Sequence, residues 1–160
     1  MAFTEPVLME LDQEAVATRR LLERIPDEKL GWKPHPKARS LGQLAVHIAQ
    51  TQKQVSSMLQ SDSAEVSMSP EAVPASSAEI VSLFDESLAA TKSLIGGMSD
   101  EDLLSTWSLT REGKPIFSAP KLGVVRMIVL NHVYHHRGQL STYLRTLDVP
   151  LPSVYGPTAD

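Results

Sequence analysis

Apolar residues recur every three to four positions along four stretches of the chain, and each stretch is bounded by residues that start or stop helices. The first runs from Thr4, a candidate N-cap, through Val7, Leu8, Leu11, Ala15, Thr18, Leu22 and Ile25, and Pro26 ends it. The second opens at Ser40-Leu-Gly-Gln43, which has capping-box chemistry, and carries Leu41, Leu44, Ala45, Ile48, Val55 and Met58 on one side. The third opens at Ser76-Ser-Ala-Glu79, carries Ile80, Phe84, Leu88, Leu94 and Ile95, and stops at Gly96-Gly97. The fourth starts around Ser118-Ala119-Pro120, with proline suited to a first turn, and extends to about Leu147 before Asp148-Val149-Pro150.

Four long amphipathic helices predict an all-α fold, a four-helix bundle formed by residues 1–160 as one domain. Two connections are longer than the usual span of roughly 2–8 residues. One is the Ser-rich stretch from Ser61 to Ala75, which links helices 2 and 3. The other, from about Met98 to Phe117, links helices 3 and 4; it reads as a short helix over Asp100–Leu104 followed by extended Trp107-Ser-Leu-Thr110. A long helix 2–3 link permits a crossover, so the expected order of directions is up-down-down-up.

Composition narrows the chemistry. There is no cysteine, which excludes disulfides, thiolate metal sites and a cysteine nucleophile, so any metal must be held through nitrogen or oxygen. The net charge of −4 comes from interspersed charges without a basic run, which argues against a nucleic-acid partner. No cationic and apolar leader is seen at Met1-Ala-Phe-Thr, and no apolar stretch is long enough for a membrane span, so a cytoplasmic protein with no membrane partner is expected.

The candidate chemistry lies in His132-Val-Tyr-His135-His136, three imidazoles inside the most apolar long segment. On a helix, residues four apart differ by about 40° around the axis, so His132 and His136 share a face while His135 points elsewhere. That face also holds Val125, Val129, Val133, Tyr143 and Leu147. A buried imidazole without a partner costs on the order of a few kcal/mol, and one divalent cation would satisfy both. The alternative is that each is a core histidine bonded to a neighbouring side chain or carbonyl.

His47, near the edge of the helix 2 stripe, suits a seam between helices, where it would complete a three-imidazole cap with open coordination positions. Taken alone it reads equally as a boundary histidine bonded to solvent. Other architectures fail on spacing. A zincin needs His-Glu-x-x-His, but Val133 follows His132; a di-iron bundle needs Glu three residues before His, but Val129 and Val133 hold those positions. No Gly-x-Ser-x-Gly elbow supports serine chemistry.

Leu30-Gly-Trp32-Lys-Pro34, Ser40-Leu-Gly-Gln-Leu-Ala-Val-His47, His132-Val-Tyr-His-His136-Arg-Gly-Gln139-Leu and Pro150-Leu-Pro-Ser-Val-Tyr155-Gly-Pro together resemble the DinB/YfiT-like family across nearly the whole chain. The resemblance implies a metal-binding bundle in which His47, His132 and His136 are the ligands of one divalent ion, zinc or nickel first and iron as a further option. It implies His135 as a neighbour of those ligands; Arg137 and Gln139, which flank them in sequence, are candidates to reach the same pocket, with a solvated Arg and a surface Gln as the plain readings. It also implies a small-molecule substrate, with transfer of a low-molecular-weight thiol as the leading activity, and a homodimer. The alternatives are a non-catalytic metal-binding or stress-response protein, whose site a carboxylate such as Asp85 or Glu86 would close, and a metal-dependent hydrolase. Trp32 and Trp107 would either line the cleft or pack a loop onto the bundle end; Tyr134 and Tyr155 are candidate proton donors, and His35, between two prolines, is expected on the surface.

Overall fold

A computed structural model describes residues 2–67 and 72–160, so residues 68–71 of the Ser-rich connection lie outside the described part. Helix α1 spans Thr4–Leu22, so Thr4, the expected N-cap, is already its first residue, and Phe3 at the cap position makes no side-chain cap. Asp100 takes over part of that task, since its Oδ1 accepts from the N–H of Phe3 at 2.8 Å. Helix α2 spans Leu41–Met58 and begins with a complete capping box: Ser40 Oγ accepts from Gln43 N at 3.2 Å, and Gln43 Oε1 from Ser40 N at 2.8 Å. Helix α3, Ser77–Gly96, has half of one. Ser76 Oγ accepts from Glu79 N, while the Glu79 carboxylate takes the Ser76 hydroxyl and Asp27 Oδ1 accepts from Ser77 N at 2.6 Å.

The last helical rod is not uniform. It comprises α5 (Lys121–Val124), a π-helical stretch over Val125–Asn131, and α6 (His132–Thr146), with helical dihedrals maintained at both junctions. Cross-helix pairs fix the directions. Arg19 with Asp85 and Lys92 with Asp12 make α1 and α3 antiparallel, whereas Glu14 with Arg137 and Glu10 with Tyr134 make α1 and α6 parallel. Gln52 reaching Val129, and Tyr143 reaching Arg39, make α2 and α6 antiparallel.

The all-α expectation is corrected by a three-stranded mixed sheet in order β1-β2-β3. Strand β1 (Ser63–Glu65) pairs parallel to β2 (Thr106–Arg111), and β2 pairs antiparallel to β3 (Lys114–Pro120). The short helix expected before β2 is present as α4, Asp100–Leu104, with its own Ser99 box. The hairpin turns at Glu112 and Gly113, both with positive φ, of 51° and 74°. Strand β2 falls on the stretch expected to be extended, Trp107–Thr110, whereas β1 and β3 lack the usual periodic signal for physical reasons. Strand β1 is three residues long, and β3 carries Pro115 and Pro120, which an edge strand tolerates because its outer N–H groups need no ladder partner. The helix expected from Ser118 begins only at Lys121, because Ser118, Ala119 and Pro120 belong to β3.

Trp107 shows why the sheet matters. On β2 it is 3% exposed, and its indole N–H donates to Met58 O at 3.3 Å, satisfying a carbonyl at the end of α2. It packs with Leu11, Leu59, Ile95, Leu103, Val125 and Leu130 in one apolar cluster. A second cluster gathers Leu21, Leu44, Ile48, Phe84, Val133, Leu140 and Leu144 around α2, α3 and α6. Among the described residues, no helix is long and apolar enough to cross a membrane.

Arg137 locks α6 to α1 and to the C-terminal tail. Only 2% exposed, it donates to Glu14 O at 3.1 Å, Thr18 Oγ1 at 3.2 Å and Glu14 Oε2 at 2.6 Å, and also to the Tyr155 hydroxyl. Its guanidinium lies 5.1 Å from the Tyr134 ring centroid and 5.0 Å from that of Tyr155. Arg137→Leu leaves the Glu14 carboxylate without its counter-ion, and the urea unfolding free energy should fall by about 3–5 kcal/mol. A loss below about 1 kcal/mol, the size of an exposed pair, would show that this lock contributes little.

Candidate metal centre

The antiparallel arrangement of α2 and α6 brings His47, His132 and His136 into one cluster, whose candidate ligand nitrogens all lie within 4.8 Å of one another. His47 and His132 are half-buried, and His136 is 8% exposed. The three rings meet edge to face, with centroids 5.2 Å (His47 to His132), 4.7 Å (His47 to His136) and 4.4 Å (His132 to His136) apart. The Nε2 atoms of His132 and His136 are 3.0 Å apart. Two nitrogens bound to one ion at about 2.0–2.1 Å stand about 2.9 Å apart at a right angle and about 3.4 Å apart at the tetrahedral angle. The observed 3.0 Å lies in that interval, so the pair fits a shared divalent ion.

Neighbouring side chains select the tautomer such an ion needs. Gln139 Oε1 lies 2.7 Å from His136 Nδ1, and since an amide oxygen only accepts, Nδ1 carries the proton and Nε2 presents its lone pair to the cluster. Gln139 Nε2 in turn donates to His135 Nε2 at 3.1 Å. Thr51, one turn after His47, donates to the His47 carbonyl at 2.6 Å and stands 3.5 Å from His47 Nδ1. Among the described residues, His132 Nδ1 is buried without a hydrogen-bond partner.

Electrostatics favour the neutral form of His132 and His136. Burial, then the charges of His136, His47, His135 and Arg39, pushes His132 down from 6.5 to about 4. His136 is also lowered, again mainly by burial, although its hydrogen bond to Gln139 works in the other direction. A neutral imidazole is the form that binds a cation.

The remaining candidates fall on both sides of this boundary. His135 is exposed but connected, its ring 4.9 Å from that of His136 and its Nε2 bonded to Gln139. Arg137 directs its hydrogen bonds to α1 and the tail. Asp85 pairs with Arg19 on the α1–α3 surface, and Glu86 is exposed; neither belongs to the histidine cluster. The Tyr134 hydroxyl donates to Glu10 at 3.0 Å and that of Tyr155 to Glu14 at 2.7 Å. Trp32 packs edge-on against Tyr143 at 5.6 Å, and exposed His35 accepts from Lys37 N in its own turn. Thr51 and Gln52, both buried on α2, carry no motif in the sequence. Gln52 was visible in principle, because it occupies an apolar-stripe position four residues after Ile48 yet is polar.

A histidine whose folded pKa is depressed adds nothing above its ordinary value near 6.5, where both states are neutral. As pH falls from there toward about 4, the unfolded chain takes up a proton that the folded one refuses, and stability is lost. The urea midpoint of metal-free protein should therefore drop between about pH 7 and about pH 5, and His132→Asn should make that slope shallower. Identical slopes in the two proteins would refute the assignment.

Comparison with known proteins identifies the family and the fold. The DinB superfamily pattern matches residues 10–140. A DinB-like protein from Bacillus cereus is similar at a TM-score of 0.75 and 26% identity, over 94% of this chain and 97% of that one. The DinB-like protein YjoA of Bacillus subtilis shares the fold at a TM-score of 0.72 and 16% identity, over 94% of this chain and 98% of its own. No curated protein matches. With the superfamily pattern extending from α1 to the middle of α6, and with a three-histidine cluster that could hold a metal ion, the chain belongs to the DinB superfamily.

Proposed function

We propose that His47, His132 and His136 bind one divalent ion, zinc or nickel first and iron as a further option, and that the protein is a metal-dependent enzyme transferring a small thiol to an electrophile. The observation that carries the reading is the convergence of three imidazoles, one with its tautomer set by Gln139 so that Nε2 faces the cluster. An ion held by three neutral ligands supplies the positive charge that keeps a bound thiol or water deprotonated near neutral pH. The chain has no cysteine, so a reactive sulfur would arrive with the cosubstrate. The residues of the site hold the ligands in place: Gln139 sets the His136 proton on Nδ1 and links His135 to it, and Thr51 braces His47.

A second reading has its own support. The hydroxyls of Tyr134 and Tyr155 are committed to Glu10 and Glu14, which leaves neither as a proton donor at the cluster. A site built only to bind metal would look the same, and a hydrolase would differ in using water alone.

Elemental analysis of untagged protein should give close to one ion per chain, and His132→Ala with His136→Ala should abolish it; metal retained by the double variant would sink the ligand assignment. Gln139→Leu should keep the fold and weaken metal affinity by about 10- to 100-fold. For the reaction, metal-loaded protein is mixed with small thiols and an electrophile, and thiol loss is followed. Metal-dependent consumption of both supports transfer, ester cleavage without thiol supports the hydrolase, and inactivity across the panel supports the binding protein.

A further inference from the structure

Gln52 is the least expected residue of the α2 interior. It is 5% exposed and sits on the stripe that elsewhere carries leucine, alanine and isoleucine, and its Oε1 is buried without a partner among the described residues. A half-satisfied buried amide is less favourable for folding than an apolar side chain of similar size, so its other half merits scrutiny. That half reaches across the seam. Gln52 Nε2 donates to Val129 O at 3.2 Å, a buried contact between residues 77 apart in the chain.

Val129 lies inside the π-helical stretch, which ends at Asn131, immediately before His132. In a π turn each N–H reaches back five residues instead of four, so the backbone changes register where the stretch gives way to α6. The register change sets the rotation and height at which the next helix starts, and His132 is its first residue. A side chain that grips a carbonyl within the switch holds it there. His132 Nδ1 has no hydrogen-bond partner among the described residues, unlike His136 with its Gln139, so the outer edge of the ring has no side-chain brace and its placement depends on the backbone that carries it as well as on the contact of Nε2 with His136 Nε2 at 3.0 Å.

We infer that Gln52 is a positioning residue of the metal centre, clamping the π turn through Val129 O so that His132 Nε2 meets the cluster. The inference rests on the metal reading above but makes a claim about the metal-free protein as well. Gln52→Met keeps the length of the side chain and removes the amide, and Gln52→Leu removes it with a branched side chain that adds no charge. Ser56→Ala, one turn further along α2, removes another buried hydroxyl lacking a partner and serves as the control.

Two readouts are compared at equal foldedness, verified by the urea midpoint: affinity for cobalt(II) with its visible absorption, and the imidazole NMR resonances of His132 in metal-free protein. Expected are at least a 10-fold weaker affinity and an altered cobalt spectrum for both Gln52 variants, with displaced His132 resonances, while Ser56→Ala matches the parent. Unchanged affinity and unchanged His132 resonances in either folded Gln52 variant would overturn the role. If the parent protein takes up no cobalt, the metal reading fails, and the His132 resonances alone then decide whether Gln52 positions that ring.

Discussion

Two imidazole nitrogens 3.0 Å apart at a half-buried seam can share at most one proton, and much of the structure around them answers that constraint. Gln139 puts the His136 proton on Nδ1, so His136 Nε2 can only accept. If His132 donates from Nε2, its Nδ1 becomes a buried lone pair with nothing to accept; if it carries its proton on Nδ1, two lone pairs face one another. Either arrangement leaves polar capacity unspent in a desolvated place. Adding a proton is opposed by burial and by the neighbouring charges that hold His132 down to about 4. A divalent cation uses both lone pairs and adds no proton, and so removes the opposition of the two Nε2 atoms, leaving only the His132 Nδ1–H unpaired.

Holding that pair together requires the whole fold. The rings come from α2 and α6, so the two helices must run antiparallel and at a fixed height. Arg137, next to His136, faces the other way and is bonded to α1 and the tail, which fixes how far α6 can rotate. A rotation that withdrew His136 from the cluster would also break the buried Glu14 pair, so the site inherits stiffness from an interaction outside it. At the opposite end, Trp107 on β2 secures the end of α2 by bonding Met58 O. The sheet that corrected the all-α expectation thus closes the helical layer at one end and has a part in positioning α2.

What could be read from the sequence followed the range of the interaction. The Ser40 box, the Ser76 cap and the pairing of His132 with His136 depend on residues three or four apart, and local spacing reveals them. The approach of His47 needed a resemblance, since nothing local says which helices touch. Only β2 is legible as an extended stretch; its pairing is not, because β1 is three residues long and some 45 positions away, as Ala64 with Leu109, and because two prolines mask β3. The hairpin itself left a trace: Glu112-Gly113 between Trp107-Ser-Leu-Thr and Lys114-Pro-Ile-Phe is turn chemistry between extended segments. Arg137 was misdirected by its place in the motif, because the residue after a ligand on a helix faces about 100° away from it.

The π turn explains one further departure. A uniform helical projection from Ile128 puts Leu130 at about 200°, off the apolar stripe, yet it is buried with Val125 and Val129, because the backbone over Val125–Asn131 is wound differently. A π turn is ordinarily a cost, since it loosens the packing of the ladder, and it persists where other contacts hold it. Here it stands directly before His132 and is held by Gln52, itself an unfavourable core residue. Two locally unfavourable features that bond to each other next to a histidine cluster are hard to reconcile with a bundle selected for packing alone. They are consistent with a site in which the placement of one imidazole matters more than the stability of the seam that places it.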